Sequence, residues 1–357
     1  MTRTNRLKYT SVEICAGAGG QAVGLHNAGF KHTALIEIDK DACQTLRTNI
    51  ARNSEWDGCK VIEADLKDFE AEELGLKPGD LDLLAGGVPC PPFSAAGKQL
   101  GADDERDLFP TMLSLVDDLE PKAVMIENVR GLLDPKFAEY RQSIVKRLEA
   151  MEYEVCYWDL LEAKNYGVPQ LRPRAILVAM KPRYAKHFQH AKPEERELVS
   201  VGQALHDSMR ARYDAVAGDH RAELAFKRWY EKALEGVAPT VVGGSKKHGG
   251  ADLGPTRAKR AWADLGVCGL GVANEPHEMK DAERDLFASA GPKLTVTQAA
   301  LVQGFPEDWK FHGRKTAAYR QVGNAFPPPV AQAVGEQIYA ALEAAAETEQ
   351  STGAALP

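Results

Sequence analysis

"EICAGAGGQAVGL", residues 13–25, contains the turn that decides the fold. The "YTSVEI" segment leading into it reads as a strand, and "QAVGLHNAG" after it reads as a helix stopped by Gly29. Between them, Gly17, Gly19 and Gly20 let the backbone turn tightly and approach a ligand closely, as nucleotide-binding folds require. The spacing is G-x-G-G and not the dinucleotide G-x-G-x-x-G, so on these residues alone a tight turn without a ligand stays open.

The same rhythm continues downstream. "KHTALIEID", "CKVIEAD", "LDLLAGG", "KAVMIENV", "YEVCYWDLLEA" and "RAILVAM" read as strands, while "KDACQTLRTNI", "LFPTMLSLVDDLE" and residues 137–151 read as helices. Strands that are apolar without alternation, spaced by helices, indicate a parallel sheet covered on both faces. The expected class is α/β, a doubly wound and mostly parallel sheet over roughly the first 180 residues. After Lys181 the rhythm breaks. Residues 183–236 read as charged helices, and residues 237–293 are rich in Gly and Pro with only short strand-like pieces, which suggests a smaller, loop-rich second domain. Helical pattern returns from Leu294, and "ETEQSTGAALP", about residues 347–357, is expected to be a disordered tail.

Composition limits the alternatives. The net charge of −7 argues mildly against a protein coated in nucleic acid, but a local basic face is enough to bind phosphates. Two such clusters exist, "GGSKKHGGADLGPTRAKR" at 243–260 and "KPRYAKHFQHAK" at 181–192, and each can equally be a solvated loop. No apolar run approaches the ~20 residues of a membrane span, and the N-terminus lacks a signal-peptide core, so a cytoplasmic protein is expected. The six cysteines are scattered and form no C-x-x-C pair. That disfavours a zinc site or a disulfide framework, and no metal is expected.

The strand ends carry the polar residues. Glu37 and Asp39 end the second strand about twenty residues past the glycines, where a carboxylate suits a ribose diol. Asp65 ends the third and could accept from an adenine amino group, although each acid alone also fits a helix cap. Cys90 follows the fourth strand in "GGVPCPPFS", caged by prolines that fix φ and stiffen the loop. A stiff loop suits a nucleophile, and equally an inert packed thiol. Glu127 and Asn128 end the fifth strand, where one-sided desolvation would favour the protonated acid and make Glu127 a plausible proton donor. In "QLRPR", Gln170 precedes Arg172 and Arg174, two cations at alternate positions that could clamp a phosphate or steady a carbonyl.

In order, "CAGAGG", "EID", "EAD", "GGVPCPPFS", "IENV", "QLRPR", "LVQGFP" and "YRQVGNAFPPPVA" span residues 13–331 and resemble the motifs of the DNA cytosine-5 methyltransferase family of bacterial restriction–modification systems. The resemblance implies S-adenosyl-L-methionine as methyl donor, S-adenosyl-L-homocysteine as product, no metal, and double-stranded DNA as substrate. It implies a catalytic domain of residues 1–199 plus 315–357 and a target-recognition domain of 200–314. Cys90 would attack C6 of a flipped cytosine, Glu127 would act at N3, and Arg172 or Arg174 would hold O2 and the neighbouring phosphate. The cofactor would meet Cys15, Ala16, Gly17, Gly19, Gly20, Glu37, Ile38, Asp65, Leu66, Pro89, Leu108, Asn324, Ala325 and Phe326. DNA would meet Ser94, Lys98 and Arg106 in a closing loop, together with Gln170, Gly243, Gly244, Lys246, Lys247, His248 and Arg257. Relatives often have Phe at the position of Cys15 and an aromatic at Ile38, both beside the adenine. Many have Gln at Pro91, and some have Ser at Ala96. A monomer in the bacterial cytoplasm, associated with the nucleoid and paired with a restriction endonuclease, is the further expectation. The competing expectations are a tRNA methyltransferase of the same fold, which would carry a Cys-Phe-Thr signature absent here, and a catalytically silent DNA-binding relative.

Overall fold

The computed structural model describes residues 7–89, 107–193, 197–243 and 251–353. The chain forms two compact units, one of Met1–Leu161, Pro173–Lys192 and Val330–Pro357, the other of Glu162–Arg172 and Pro193–Pro329. The expected intervals were 200–314 and its complement. By compactness the helix before the final proline run, and the short piece 162–172, go with the second unit instead.

The first unit is built on one seven-stranded sheet. Its strands are β1 (Tyr9–Ile14), β2 (Phe30–Glu37), β3 (Lys60–Glu63), β4 (Leu83–Gly86), β5 (Ala123–Val129), β6 (Glu154–Glu162) and β7 (Pro173–Met180), in the order β3-β2-β1-β4-β5-β7-β6. Pairings from β3 through β5 are parallel. β7 runs antiparallel to β5, with Val129 opposite Arg174. The expected mostly parallel, doubly wound sheet is therefore present, with β7 reversed relative to β5.

Alternation along the strands sorts their side chains between two faces. Val12, Ile14, Ala34, Ile36, Leu84, Val124 and Ile126 enter one core with Phe109, Met112, Leu113 and Val116 of α3 (Phe109–Leu119) and with Ile144 and Leu148 of α4 (Ala138–Ala150). The opposite face is covered by α1 (Gly20–Ala28), α2 (Lys40–Ile50) and the last helix, Pro328–Gly353. Gly335 lets that helix approach Leu25 and Ala28, since a Cβ there would lie 2.9 Å from each. The terminal helix continues to Gly353, so residues 347–353 are ordered helix where the sequence suggested a tail. A short α5 (Pro182–Ala185) follows β7.

The second unit is helical. It holds α6 (Val201–Asp214), α7 (Ala222–Ala233), α8 (Thr256–Asp264), α9 (Ala282–Asp285), α10 (Val296–Val302), α11 (Lys315–Asn324) and the start of α12, the terminal helix. Ser200 with Gln203, and Thr295 with Gln298, form reciprocal capping boxes that satisfy the first amides of α6 and α10. Tyr213, Phe226, Trp229, Trp262 and Tyr319 fill its core. Among the described residues the strand-like pieces expected at 237–293 come to one isolated bridge, Gln170 with Ala238.

One polar cluster under the sheet sets an acid limit on stability. His32 is buried, with Nε2 2.8 Å from Ala22 O and Nδ1 2.8 Å from Ser11 Oγ. A carbonyl only accepts, so Nε2 carries the hydrogen and Nδ1 accepts from the serine hydroxyl. Burial lowers the His32 pKa to about 4 against the 6.5 of a free side chain. A depressed histidine contributes stability that is present above the unfolded pKa and lost as pH falls toward the folded one. Between neutral pH and about pH 5 this single group should cost about 2 kcal/mol. Urea unfolding at the two pH values should show that loss in the wild type and a clearly smaller one in His32→Asn. An equal loss in both proteins would assign the acid sensitivity elsewhere.

Candidate active site

The first three strands end at one edge of the sheet, and their ends form an acidic, open cradle. The turn after β1 uses left-handed backbone at Cys15 (φ 50°), Gly17 (φ 55°) and Gly19 (φ 86°). Left-handed φ is cheap for glycine and strained for cysteine. Ala16 N donates to Ile36 O at 3.0 Å, which ties the turn to β2. Glu37 then gathers the loop. Its Oε2 accepts from Gly17 N at 2.7 Å, and its Oε1 accepts from Ile38 N at 3.0 Å and Asp39 N at 2.8 Å. Burial raises the Glu37 carboxyl above its usual range, while the three amide hydrogen bonds act in the opposite direction.

Above this turn there is room. A Cβ on Gly17 would meet nothing within 4 Å, and Ile38 stands 60% exposed beside Glu37. Asp65 is half-buried at the end of β3, accepting from Lys67 N at 3.1 Å, with Leu66 buried behind it. Ala16, Gly19 and Gly20 are buried under the turn. Two accepting carboxylates, an apolar side chain and an open glycine turn suit a nucleoside whose ribose diol and base amino group donate. Sequence reasoning passed over Glu13, which lies in β1 beneath the turn at 1% exposure. Burial, and then the charge of Glu37, push its carboxyl well above the usual range.

Further along the edge, β4, β5 and β7 bring together a second group. Arg174 lies opposite Val129 and so shares a face with Glu127, one diagonal step away. Its Nε lies 2.6 Å from Glu127 Oε1, with both side chains nearly buried. The other oxygen, Oε2, faces the end of β4: a Cβ on Gly87 would lie 3.1 Å from it. Glu127 thus has little contact with water and a guanidinium lies against it.

The described residues on either side of positions 90–106 are held by hydrogen bonds. Asn128 Nδ2 donates to Val88 O at 2.8 Å, and Leu108 N donates to Pro89 O at 3.3 Å. Asp107 accepts from Tyr140 Oη at 2.6 and 2.7 Å and from Phe109 N at 3.0 Å. Neither Asp107 nor Tyr140 carries a local sequence signal, because the two meet only through the packing of α3 on α4.

Two expected site residues have a different task. Arg172 does not share a strand with Arg174, since β7 begins at Pro173. It is 1% exposed in the second unit, and its guanidinium donates to Val241 O, Gly323 O and Ala325 O at 2.7, 2.9 and 2.8 Å. Gln170, expected at the DNA, is fully buried with its amide bonded to Gln303, Val302 and Val241. Groups so enclosed and so committed are not available to a base or a phosphate.

Asn324 is exposed at the end of α11, while Ala325 and Phe326 are buried. Gly243 packs against Asn324. Arg257 is exposed on α8, and its neighbour Lys259 is held by Asp252 at 2.7 Å. Leu108 is half-buried and Pro89 exposed. Cys90, Ser94, Lys98, Arg106, Gly244, Lys246, Lys247 and His248 lie outside the described residues.

The remaining thiols are poor nucleophiles. Burial pushes Cys15, Cys43 and Cys59 up to about 12 and Cys156 up to about 11, and Cys268 is 3% exposed. A thiol must ionise to attack, so none of the four raised thiols suits nucleophilic chemistry near neutral pH.

The mostly parallel sheet with its reversed β7 and flanking helices is of the Rossmann-like α/β class. Solved structures agree in fold. *Entamoeba histolytica* methyltransferase EhMeth matches with a TM-score of 0.62 at 16% identity, covering 94% of this chain and 98% of that one. A *Spodoptera frugiperda* DNMT2 mutant matches at 0.58 and 14%, covering 93% and 100%. The C-5 cytosine-specific DNA methylase family model matches residues 9–340, and the chain belongs to that family. It is 51% identical to the type II methyltransferase M.NaeI of *Lentzea aerocolonigenes*, over 93% of this chain and 75% of the relative. It is 47% identical to M.NgoMIV of *Neisseria gonorrhoeae*, over 94% and 99%. The protein is a DNA (cytosine-5) methyltransferase, and membership of this family implies S-adenosylmethionine as methyl donor. Among the described residues no helix is long and apolar enough to cross a membrane.

Removing one partner of a buried ion pair leaves the other charge uncompensated. Arg174→Met should therefore lower unfolding free energy by about 3 kcal/mol, and the double variant Glu127→Gln/Arg174→Met should recover most of it. Denaturant titration of the three proteins checks this. Purely additive losses would show that the pair is not coupled.

Proposed function

We propose that this chain methylates C5 of one cytosine in a short duplex sequence through a covalent adduct of Cys90, and that it protects its host's DNA as the modifying half of a type II restriction–modification pair. The observation that carries the chemistry is the orientation of Glu127, with Oε1 held by Arg174 and Oε2 turned toward Gly87, three residues ahead of Cys90. The two curated relatives, both type II methyltransferases, support the biological role.

C6 is out of reach inside a stacked duplex, so the target base must turn out of the helix. The Cys90 thiolate adds to C6, and the electron pair of the 5,6 double bond moves into the ring, making C5 an enamine carbon. As charge gathers on the ring, Glu127 Oε2 takes a proton from solvent and passes it to N3, and Arg174 steadies Glu127 and the O2 side of the ring. When bound, S-adenosylmethionine supplies an electrophilic methyl group for C5. Glu37, Asp65 and Ile38 would hold its nucleoside, and the family pattern also assigns Asn324, Ala325 and Phe326 to it. Loss of the C5 proton to a base then expels the Cys90 thiolate and restores the 5,6 double bond. The second unit would read the sequence, with residues 243–248 and Arg257 toward the DNA and Ser94, Lys98 and Arg106 on phosphates. The protein is expected to act as a monomer.

Bisulfite sequencing of DNA from cells expressing the protein should show one protected cytosine within one short sequence. Cys90→Ser should remove the protection, and Glu127→Gln should slow transfer by about 10²- to 10⁴-fold. Full transfer by Cys90→Ser would overturn the nucleophile assignment.

A further inference from the structure

Three carboxyl groups share one face of the sheet near its functional edge, and two of them are answered by the protein. Glu13 pairs with Leu35 of β2, and Glu37 follows two residues on. Glu13 also pairs with Ala85 of β4, Ala85 pairs with Met125 of β5, and Glu127 follows two residues on. Side chains directly opposite one another, or two apart on one strand, stand on the same face. Glu37 is held by three amides and Glu127 by Arg174. Glu13 is buried, and its Oε2 has no hydrogen-bond partner. Leu35 and Ala85 beside it are buried and apolar. The ionisable groups coupled to it are Glu37 of β2, Cys15 in the turn and Cys59 ahead of β3, all acids or thiols. Among the described residues no cation forms an ion pair with it.

A second unanswered group stands on the other side of the glycine turn. Gln21 lies in the first turn of α1, is buried, and has no acceptor for its Nε2. Buried polar atoms are nearly always paired, so each exception calls for a partner. Here the turn is bracketed by an acceptor without a donor in β1 and a donor without an acceptor in α1. A ligand that brings both a positive charge and an anionic oxygen would satisfy the two together. S-adenosylmethionine carries a sulfonium, an α-ammonium and a carboxylate. S-adenosylhomocysteine has the same amino-acid end and lacks the sulfonium charge.

We propose that Glu13 is a cofactor-recognition residue that ionises when the sulfonium is bound and stays protonated with the product, so that charge distinguishes S-adenosylmethionine from S-adenosylhomocysteine, while Gln21 donates to the carboxylate that both ligands share. The inference rests on the reading that the nucleoside lies over the turn at Glu37 and Asp65. Burial and the neighbouring Glu37 raise the Glu13 carboxyl, so the acid holds its proton before the cofactor arrives. A fixed positive charge favours the carboxylate, so binding releases a proton to solvent and the affinity rises with pH. Methyl transfer turns the sulfonium into an uncharged thioether. Glu13 then takes a proton back from solvent, and the product is held less tightly than the donor was.

The test is calorimetric titration of the full chain with each ligand at pH 6 and pH 7, in two buffers of different ionisation enthalpy. The α-amino groups of both ligands stay mostly charged over that interval. The affinity for S-adenosylmethionine should rise about fivefold with release of about one proton, and that for S-adenosylhomocysteine should change by less than about twofold. Glu13→Gln keeps the shape and cannot ionise. It should abolish the slope and the released proton while binding S-adenosylhomocysteine within about threefold of the wild type. A merely structural Glu13 would lower the melting temperature and both affinities alike. If Glu13→Gln does not fold, infrared difference spectra of the wild type decide, because a protonated carboxyl band should disappear with S-adenosylmethionine and persist with S-adenosylhomocysteine. Gln21→Met should weaken both ligands about fivefold and leave their ratio unchanged, and unaltered affinities would overturn its assignment. Equal pH slopes for the two ligands, a slope that survives Glu13→Gln, or a carboxyl band indifferent to both ligands overturns the proposal. Asp65→Asn should weaken both ligands about tenfold, and unaltered affinities there would instead overturn the placement of the nucleoside.

Discussion

A carboxylate and a guanidinium meet at the sheet edge because one strand runs backwards. Parallel strands all deliver their carboxyl ends to the same edge, so β1 to β5 place their last residues there. A strand running the same way would start at the opposite edge. β7 is reversed relative to β5, and its first residues therefore arrive at the functional edge, with Arg174 one diagonal step from Glu127. The ion pair fixes which carboxylate oxygen is occupied and which one faces Gly87. Everything proposed for the pyrimidine ring depends on that division.

The neighbouring arginine shows how sharply burial separates roles. Arg172 and Arg174 are two residues apart, yet one belongs to each compact unit. Arg174 answers a carboxylate. Arg172 answers backbone carbonyls at a helix C-terminus, and there it holds the second unit's own chain together. A buried guanidinium needs several acceptors in its plane, and the close of α11 provides two of the three it uses.

Much of this was legible in the sequence. The glycine turn, the acids ending β2 and β3, and Glu127 ending β5 follow from local rules: apolar runs make buried strands, and polar residues at their ends must face a site or a cap. Strand alternation does not reach Arg172, because β7 starts at Pro173. Its true partners lie 69 to 153 residues away, and no local pattern reports them. The expected basic face is thinned in the same way, with Lys259 paired to Asp252. The terminal residues 347–353 read as tail from their polar composition, yet the helix continues into them from the packed, alanine-rich stretch before.

The central claim is that Cys90 forms a covalent bond to C6, with Glu127 serving the ring. A duplex in which the target cytosine carries fluorine at C5 tests it directly, because after methyl transfer C5 has no proton to lose and fluorine cannot leave as a cation. Wild-type protein, this duplex and S-adenosylmethionine should accumulate a denaturation-resistant complex, and mass spectrometry should place the modification on the peptide containing Cys90. A complex on another cysteine, or none while ordinary DNA is methylated normally, would contradict it.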